Sequence, residues 1–124
     1  MITGVGIDVV RVKRMEHWRS DAKLLERYFH PEEIATALSR ENGAAMALAA
    51  RFAAKEAFGK ALGTGFSNII LKDIMVINKN NGKPEIFVFG SAKNALENSG
   101  ANRVHVSLTH ERDNAIAMIV LEKV

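Results

Sequence analysis

Arg51-Phe52-Ala53-Ala54-Lys55-Glu56-Ala57-Phe58-Gly59-Lys60-Ala61-Leu62-Gly63-Thr64-Gly65 sets a carboxylate one turn before a lysine in a run dominated by alanine, and closes on glycines. Successive helix residues point about 100° apart. Ala47, Ala50, Ala54, Ala57, Phe58 and Ala61 then share an apolar face, and Glu56, Gly59, Lys60 and Gly63 project from the opposite one. Arg51 and Lys55 are expected as a basic ridge beside that second face. A carboxylate, bare glycines and three cations on one side of a rod can hold a metal ion and a polyphosphate. A Glu–Lys pair in i,i+4 order is also an ordinary surface pair worth only about 0.2–0.5 kcal/mol. The helix therefore needs a second feature before it points to chemistry.

That feature lies at the start of the chain. In Gly4-Val5-Gly6-Ile7-Asp8-Val9-Val10 the apolar Val5, Ile7 and Val9 alternate onto one strand face, and Gly4, Gly6 and Asp8 share the other. Aspartate is depleted in strands, and the glycines leave bare backbone beside its carboxylate, so another group can come close. Asp8 also suits a helix N-cap, a reading that gives the glycines no purpose. Together, Asp8 and Glu56 with phosphate oxygens and waters form a hard oxygen site, the usual setting for Mg²⁺. Nearby lysine and arginine balance the remaining phosphate charge, as phosphoryl-type transfer requires.

Outward from these two segments, residues 2–10 read as a strand and 11–28 as a helix broken near Ser20-Asp21. His30-Pro31-Glu32-Glu33 reads as a helix start. The long helix runs from about Gly43 to Leu62, with Gly63 as its stop. Residues 69–78 and 84–89 are β-branched runs around Asn81-Gly82, a tight-hairpin signal. A short helix over 91–98 precedes a second strand pair, 104–109 and 115–121, joined by a polar loop at 110–114. Segregated helices and strands predict an α+β fold, a mostly antiparallel sheet against a long helix.

At 124 residues, 48% hydrophobic and 25% charged, the chain has the balance of one soluble globular domain spanning 1–124. It contains no cysteine, so any metal must be held by oxygen or imidazole. A net charge of +3 favours an acidic partner but is too mild to single out nucleic acid. Few aromatic residues are present for base stacking. There is no signal-peptide pattern and no run of membrane-spanning length, so a cytoplasmic protein is expected. Two rivals remain: a small basic nucleic-acid-binding domain, and a metal-dependent phosphohydrolase built on the same carboxylates.

The Gly4–Val10 and Arg51–Gly65 segments resemble the two signature motifs of the holo-[acyl-carrier-protein] synthases, the short type of 4'-phosphopantetheinyl transferase. Asn81-Gly82-Lys83-Pro84 resembles the hairpin turn of that family, and Val104-His105-Val106-Ser107-Leu108-Thr109-His110 a further match, so the resemblance covers essentially the whole chain. It implies transfer of 4'-phosphopantetheine from coenzyme A to a serine of apo-acyl carrier protein in fatty acid biosynthesis, releasing adenosine 3',5'-bisphosphate. By resemblance Asp8 and Glu56 bind Mg²⁺ against the pyrophosphate, and Lys60 stabilises the leaving phosphate oxygens. Arg51 and His110 meet the nucleotide end near its 3'-phosphate, Gly59 and Gly63 let coenzyme A lie along the helix, and Pro84 shapes the adenine side. The serine's proton acceptor stays open between metal-bound water and Glu56.

Carrier proteins are acidic, and Arg11, Arg14, Arg19, Lys23 and Arg27 interleave with Met15, Trp18 and Leu24 as a docking surface. An exposed Trp18 favours docking; a buried one makes it core. The resemblance further implies a homotrimer with active sites between subunits. His110 would then serve a neighbour's Asp8–Glu56 pair, and the 115–121 strand would lie near the interface.

Overall fold

The computed structural model describes all 124 residues. Its axis is the helix α3 (Ala44–Leu62). Along this helix 13 side chains or backbones are buried, on every side, so it behaves as a central core helix rather than an amphipathic surface one. Gly63 ends it at φ +80°, a left-handed conformation that glycine adopts without a Cβ penalty.

On one side of α3 lies an antiparallel sheet in the order β1-β5-β4, formed by β1 (Ile2–Arg11), β4 (Arg103–Glu111) and β5 (Asn114–Glu122). Asp8 pairs with Ala117, which pairs with Leu108, placing these three on the sheet face turned to the helix. A separate hairpin, β2 (Ile74–Asn78) and β3 (Pro84–Val88), closes through Asn81-Gly82 and packs against α3 through β2 and against β4 through β3. Three shorter helices, α1 (Ala22–Tyr28), α2 (Pro31–Leu38) and α4 (Gly90–Asn98), complete one connected core of 26 buried residues.

The glycines of β1 have a packing purpose. A Cβ on Gly4 would sit 2.1 Å from the carbonyl oxygen of Ala61, and one on Gly6 would sit 2.0 Å from that of Ala57. The strand lies directly on the helix backbone, which only glycine permits. The group that comes close beside Asp8 is thus α3 itself. Val5, Ile7 and Val9, on the apolar face, are more than half exposed.

Several expectations are corrected. The 11–28 helix is instead the end of β1, two short 3₁₀ turns (Val12–Met15 and Trp18–Ser20) and α1, which Asp21 caps through its carboxylate and the Leu24 N–H. Met15 and Trp18 are buried. Trp18 packs 5.4 Å from the Tyr28 ring and 5.5 Å from Phe52, so both residues are core and not carrier-docking contacts. Asp8 caps no helix, because β1 continues through Arg11. The 110–114 loop shrinks to a turn at Arg112-Asp113, which leaves His110 inside β4. No helix is long and apolar enough to cross a membrane.

Candidate active site

The basic ridge does not form: Arg51 and Lys55 are both buried. Lys55 Nζ bonds Glu33 Oε1 at 2.7 Å, the Leu71 carbonyl at 3.0 Å and the Ile74 carbonyl. Burial pulls its pKa down, and the Glu33 carboxylate opposes that shift. Gly59 is also buried. A Cβ there would meet the Gly65 backbone oxygen at 2.8 Å, so its bare position serves the chain's own turn, whose Gly65 N–H bonds the Gly59 carbonyl. Gly59 therefore is not a surface for coenzyme A. Gly63 is exposed, with open space where a Cβ would stand.

Two clusters of the expected residues do assemble. In the first, β1 presents Asp8 to the last turns of α3. Lys60 Nζ bonds Asp8 Oδ1 at 2.6 Å and reaches the Ile7 carbonyl at 3.3 Å. Asp8 Oδ2 is buried and has no hydrogen-bond partner. Glu56, half-buried, adjoins it. Burial first, then contact with and repulsion by Asp8, push the Glu56 carboxyl up to about 7, against the pull of Arg14 and Lys60. Two neighbouring carboxylates repel when both are charged, and burial sharpens that repulsion. A divalent cation relieves that repulsion, and the donors suit it: two hard carboxylate oxygens, one without a protein partner. No third acidic or histidine ligand stands with them, so phosphate and water would have to complete an octahedral shell.

In the second cluster, Arg51, Pro84 and His110 line one cleft of about 240 Å³ with Arg40, Ala47, Asn78 and Thr109. Arg51 Nε donates to the Val76 carbonyl at 3.1 Å and Nη1 to the Ala47 carbonyl at 3.2 Å, while Nη2 is buried without a partner. Arginine stays protonated in proteins, so a phosphate oxygen is a natural partner for Nη2. Asp8, Glu56 and Lys60 do not line this cleft.

Of the expected docking residues, Arg11, Arg14, Lys23 and Arg27 are exposed. Arg14 stacks over Phe52 at 5.1 Å and acts electrostatically on Glu56. The sequence reading missed that link, because Arg14 seemed to belong to a surface helix. It also missed Glu33, which looks from its spacing like a helix-capping acid and does bond the His30 N–H.

The fold and these clusters define a class. The family model of the 4'-phosphopantetheinyl transferase superfamily matches residues 4–118, and the chain belongs to that superfamily. It is 54% identical over 122 residues to a holo-[acyl-carrier-protein] synthase of Treponema denticola, covering 98% of this chain and 99% of that one. The holo-[acyl-carrier-protein] synthase of Neisseria meningitidis superposes with a TM-score of 0.86 at 36% identity, covering 99% of this chain and 100% of the other. That of Bacillus anthracis, solved in complex with CoA (3',5'-ADP), superposes with a TM-score of 0.82 at 33% identity, covering 100% and 99%. The chain is therefore an enzyme of the holo-[acyl-carrier-protein] synthase kind.

Proposed function

We propose that this chain transfers 4'-phosphopantetheine from coenzyme A to a serine of an acidic apo-acyl carrier protein, using Asp8, Glu56 and Lys60 as its catalytic centre. The serine hydroxyl gives its proton to a water at the site or to Glu56 as its oxygen bonds the β-phosphorus, the bond from that phosphorus to the nucleotide oxygen breaks, and adenosine 3',5'-bisphosphate leaves. The observation that carries this reading is the buried, unpartnered Asp8 Oδ2 beside Glu56, with Lys60 on the other oxygen. Asp8 and Glu56 would hold Mg²⁺. When bound, the ion supplies Lewis-acid polarisation of the β-phosphoryl group and offsets the leaving charge. With its carboxyl pushed up to about 7, Glu56 is only part-ionised at neutral pH in the metal-free site, and a bound cation would favour its charged form. Lys60, exposed and flexible, is placed to turn from Asp8 toward the departing phosphate oxygens. Arg51 offers Nη2 to a phosphate at the nucleotide end, in the cleft it shares with His110 and Pro84, and Gly63 leaves open space at the end of α3.

The split between the two clusters supports a trimer. The outer sheet face pairs Val5 with Val120, Ile7 with Met118 and Val9 with Ile116, an apolar surface with four markedly exposed members. A second copy would cover it, and the family resemblance implies that one subunit's Arg51–His110 cleft then serves a neighbour's Asp8–Glu56 pair. Within this reading Arg11, Arg14, Lys23 and Arg27 receive the acidic carrier, the 124 residues act as one domain, and the reaction is cytoplasmic. The test mixes the chain, Mg²⁺, coenzyme A and an apo-carrier protein. The carrier gains the mass of one phosphopantetheine arm, and Glu56→Gln abolishes that gain. Hydrolysis of coenzyme A with an unchanged carrier mass would show a phosphohydrolase instead.

A further inference from the structure

The nucleotide-end reading of Arg51 leaves one question: what fixes this long, buried side chain in the wall of the cleft, with one nitrogen left unpartnered? The answer runs through Val76. On β2, whose outer edge has no strand neighbour, both backbone groups of Val76 are taken by side chains. Its carbonyl accepts Arg51 Nε at 3.1 Å, and its N–H donates to Glu33 Oε2 at 2.9 Å. The other Glu33 oxygen, Oε1, accepts Lys55 Nζ at 2.7 Å and the His30 N–H at 3.0 Å. Lys55 in turn holds the Ile74 and Leu71 carbonyls, on and just before the same strand. Glu33 and Lys55 are both fully buried.

We propose that Glu33 is a positioning residue for Arg51: with Lys55 it bolts the Val76 peptide in place, and that peptide aims the guanidinium at the nucleotide phosphate. A buried ion pair is poor evidence of a stability role, since apolar replacements are often neutral or stabilising. Its geometry here has a better use. Both carboxylate oxygens are needed as acceptors, so the amide of a glutamine must turn its NH₂ against a donor, either Val76 N–H or the Lys55–His30 side. The same strand leads into the hairpin that carries Pro84 opposite Asn78, so one pair sets two walls of the cleft.

The inference rests on Arg51 reading the 3'-phosphate, and the test separates the two. Transfer is measured with coenzyme A and with 3'-dephospho-coenzyme A, which lacks that group. Glu33→Gln should raise KM for coenzyme A by roughly tenfold, the usual effect of spoiling one charged hydrogen bond. It should leave KM for the dephospho donor within about twofold, and its selective effect should vanish in an Arg51→Lys background. If Glu33→Gln does not accumulate as folded protein, Glu33→Leu/Lys55→Met removes both charges and the Val76 acceptor together and carries the same test. Equal changes with both donors, or a lower Tm alone, would mean that Glu33 is merely structural and overturn the proposal. If Arg51→Lys alone leaves the preference for coenzyme A intact, the phosphate reading of Arg51 fails, and this inference with it. If Arg51→Lys abolishes the preference and Glu33→Gln does not, only this inference fails.

Discussion

Replacing Gly6 by alanine tests whether the site depends on a strand pressed against a helix backbone. The new Cβ would lie 2.0 Å from the Ala57 carbonyl oxygen and 2.7 Å from the Ala61 nitrogen, and real Cβ atoms essentially never approach nearer than 3.0 Å. Neither partner is a flexible side chain, so β1 and α3 must separate by about 1 Å, the difference between 3.0 and 2.0 Å. Overpacking of this kind costs roughly 1–3 kcal/mol, occasionally more. For a domain of this size that lowers Tm by about 4–12 °C. Asp8 is two residues further along the same face and moves with the strand. Its 2.6 Å contact with Lys60 and its approach to Glu56 open by a comparable distance. A misplacement of about 1 Å at a reacting centre can cost on the order of 100-fold in rate. Thermal melts and steady-state transfer assays read both effects, and Lys93→Ala, on the exposed side of α4, is the control. A Gly6→Ala protein with wild-type Tm and wild-type kcat/KM would refute the claim that the glycine face sets the carboxylate spacing.

Three further outcomes follow from the same structure. The folded-state pKa of Glu56 lies above its ordinary 4.5, at about 7, so its stabilising effect is complete below pH 4.5 and is lost as pH rises through 7. In chelator, wild type should therefore lose about 1–2 kcal/mol relative to Glu56→Gln between pH 5 and 8, a value discounted for partial exposure. A difference that stays flat with pH contradicts the carboxylate contact. Trp18→Ala should cost roughly 3–5 kcal/mol in urea unfolding, because it empties an aromatic cluster; a loss below about 0.5 kcal/mol, ordinary for a surface site, would return Trp18 to the docking surface. Ile7→Glu places a charge on the apolar outer sheet face, and sedimentation should show it as a monomer where wild type is a trimer; a monomeric wild type or an undisturbed trimer rejects the interface.

Much of the site was legible because its residue types are unusual where they stand. An aspartate behind two alternating glycines and a Glu56–Lys60 step on an alanine helix both point to ligands, and the structure places them together. The α+β class was legible from segregated patterns and from Asn81-Gly82. The remainder was hidden by tertiary context. Lys55 and Arg51 read as a surface ridge because lysine and arginine are almost never fully buried without partners. Their partners, Glu33 and the carbonyls of Val76, Ile74 and Leu71, lie far away in sequence. The purpose of Gly4 and Gly6 needed the helix against them to become visible. Met15 and Trp18 alternate with arginines as a docking helix would, yet two short 3₁₀ turns aim them inward.

The account turns on one cation shared by Asp8 and Glu56. Titrating Mn²⁺, as a stand-in for Mg²⁺, into the coenzyme A-bound protein by calorimetry measures this directly. The account predicts one site per chain in wild type, weakened by at least about tenfold in both Asp8→Asn and Glu56→Gln, on the scale of losing one charged ligand bond. Wild-type affinity retained in either variant would contradict it.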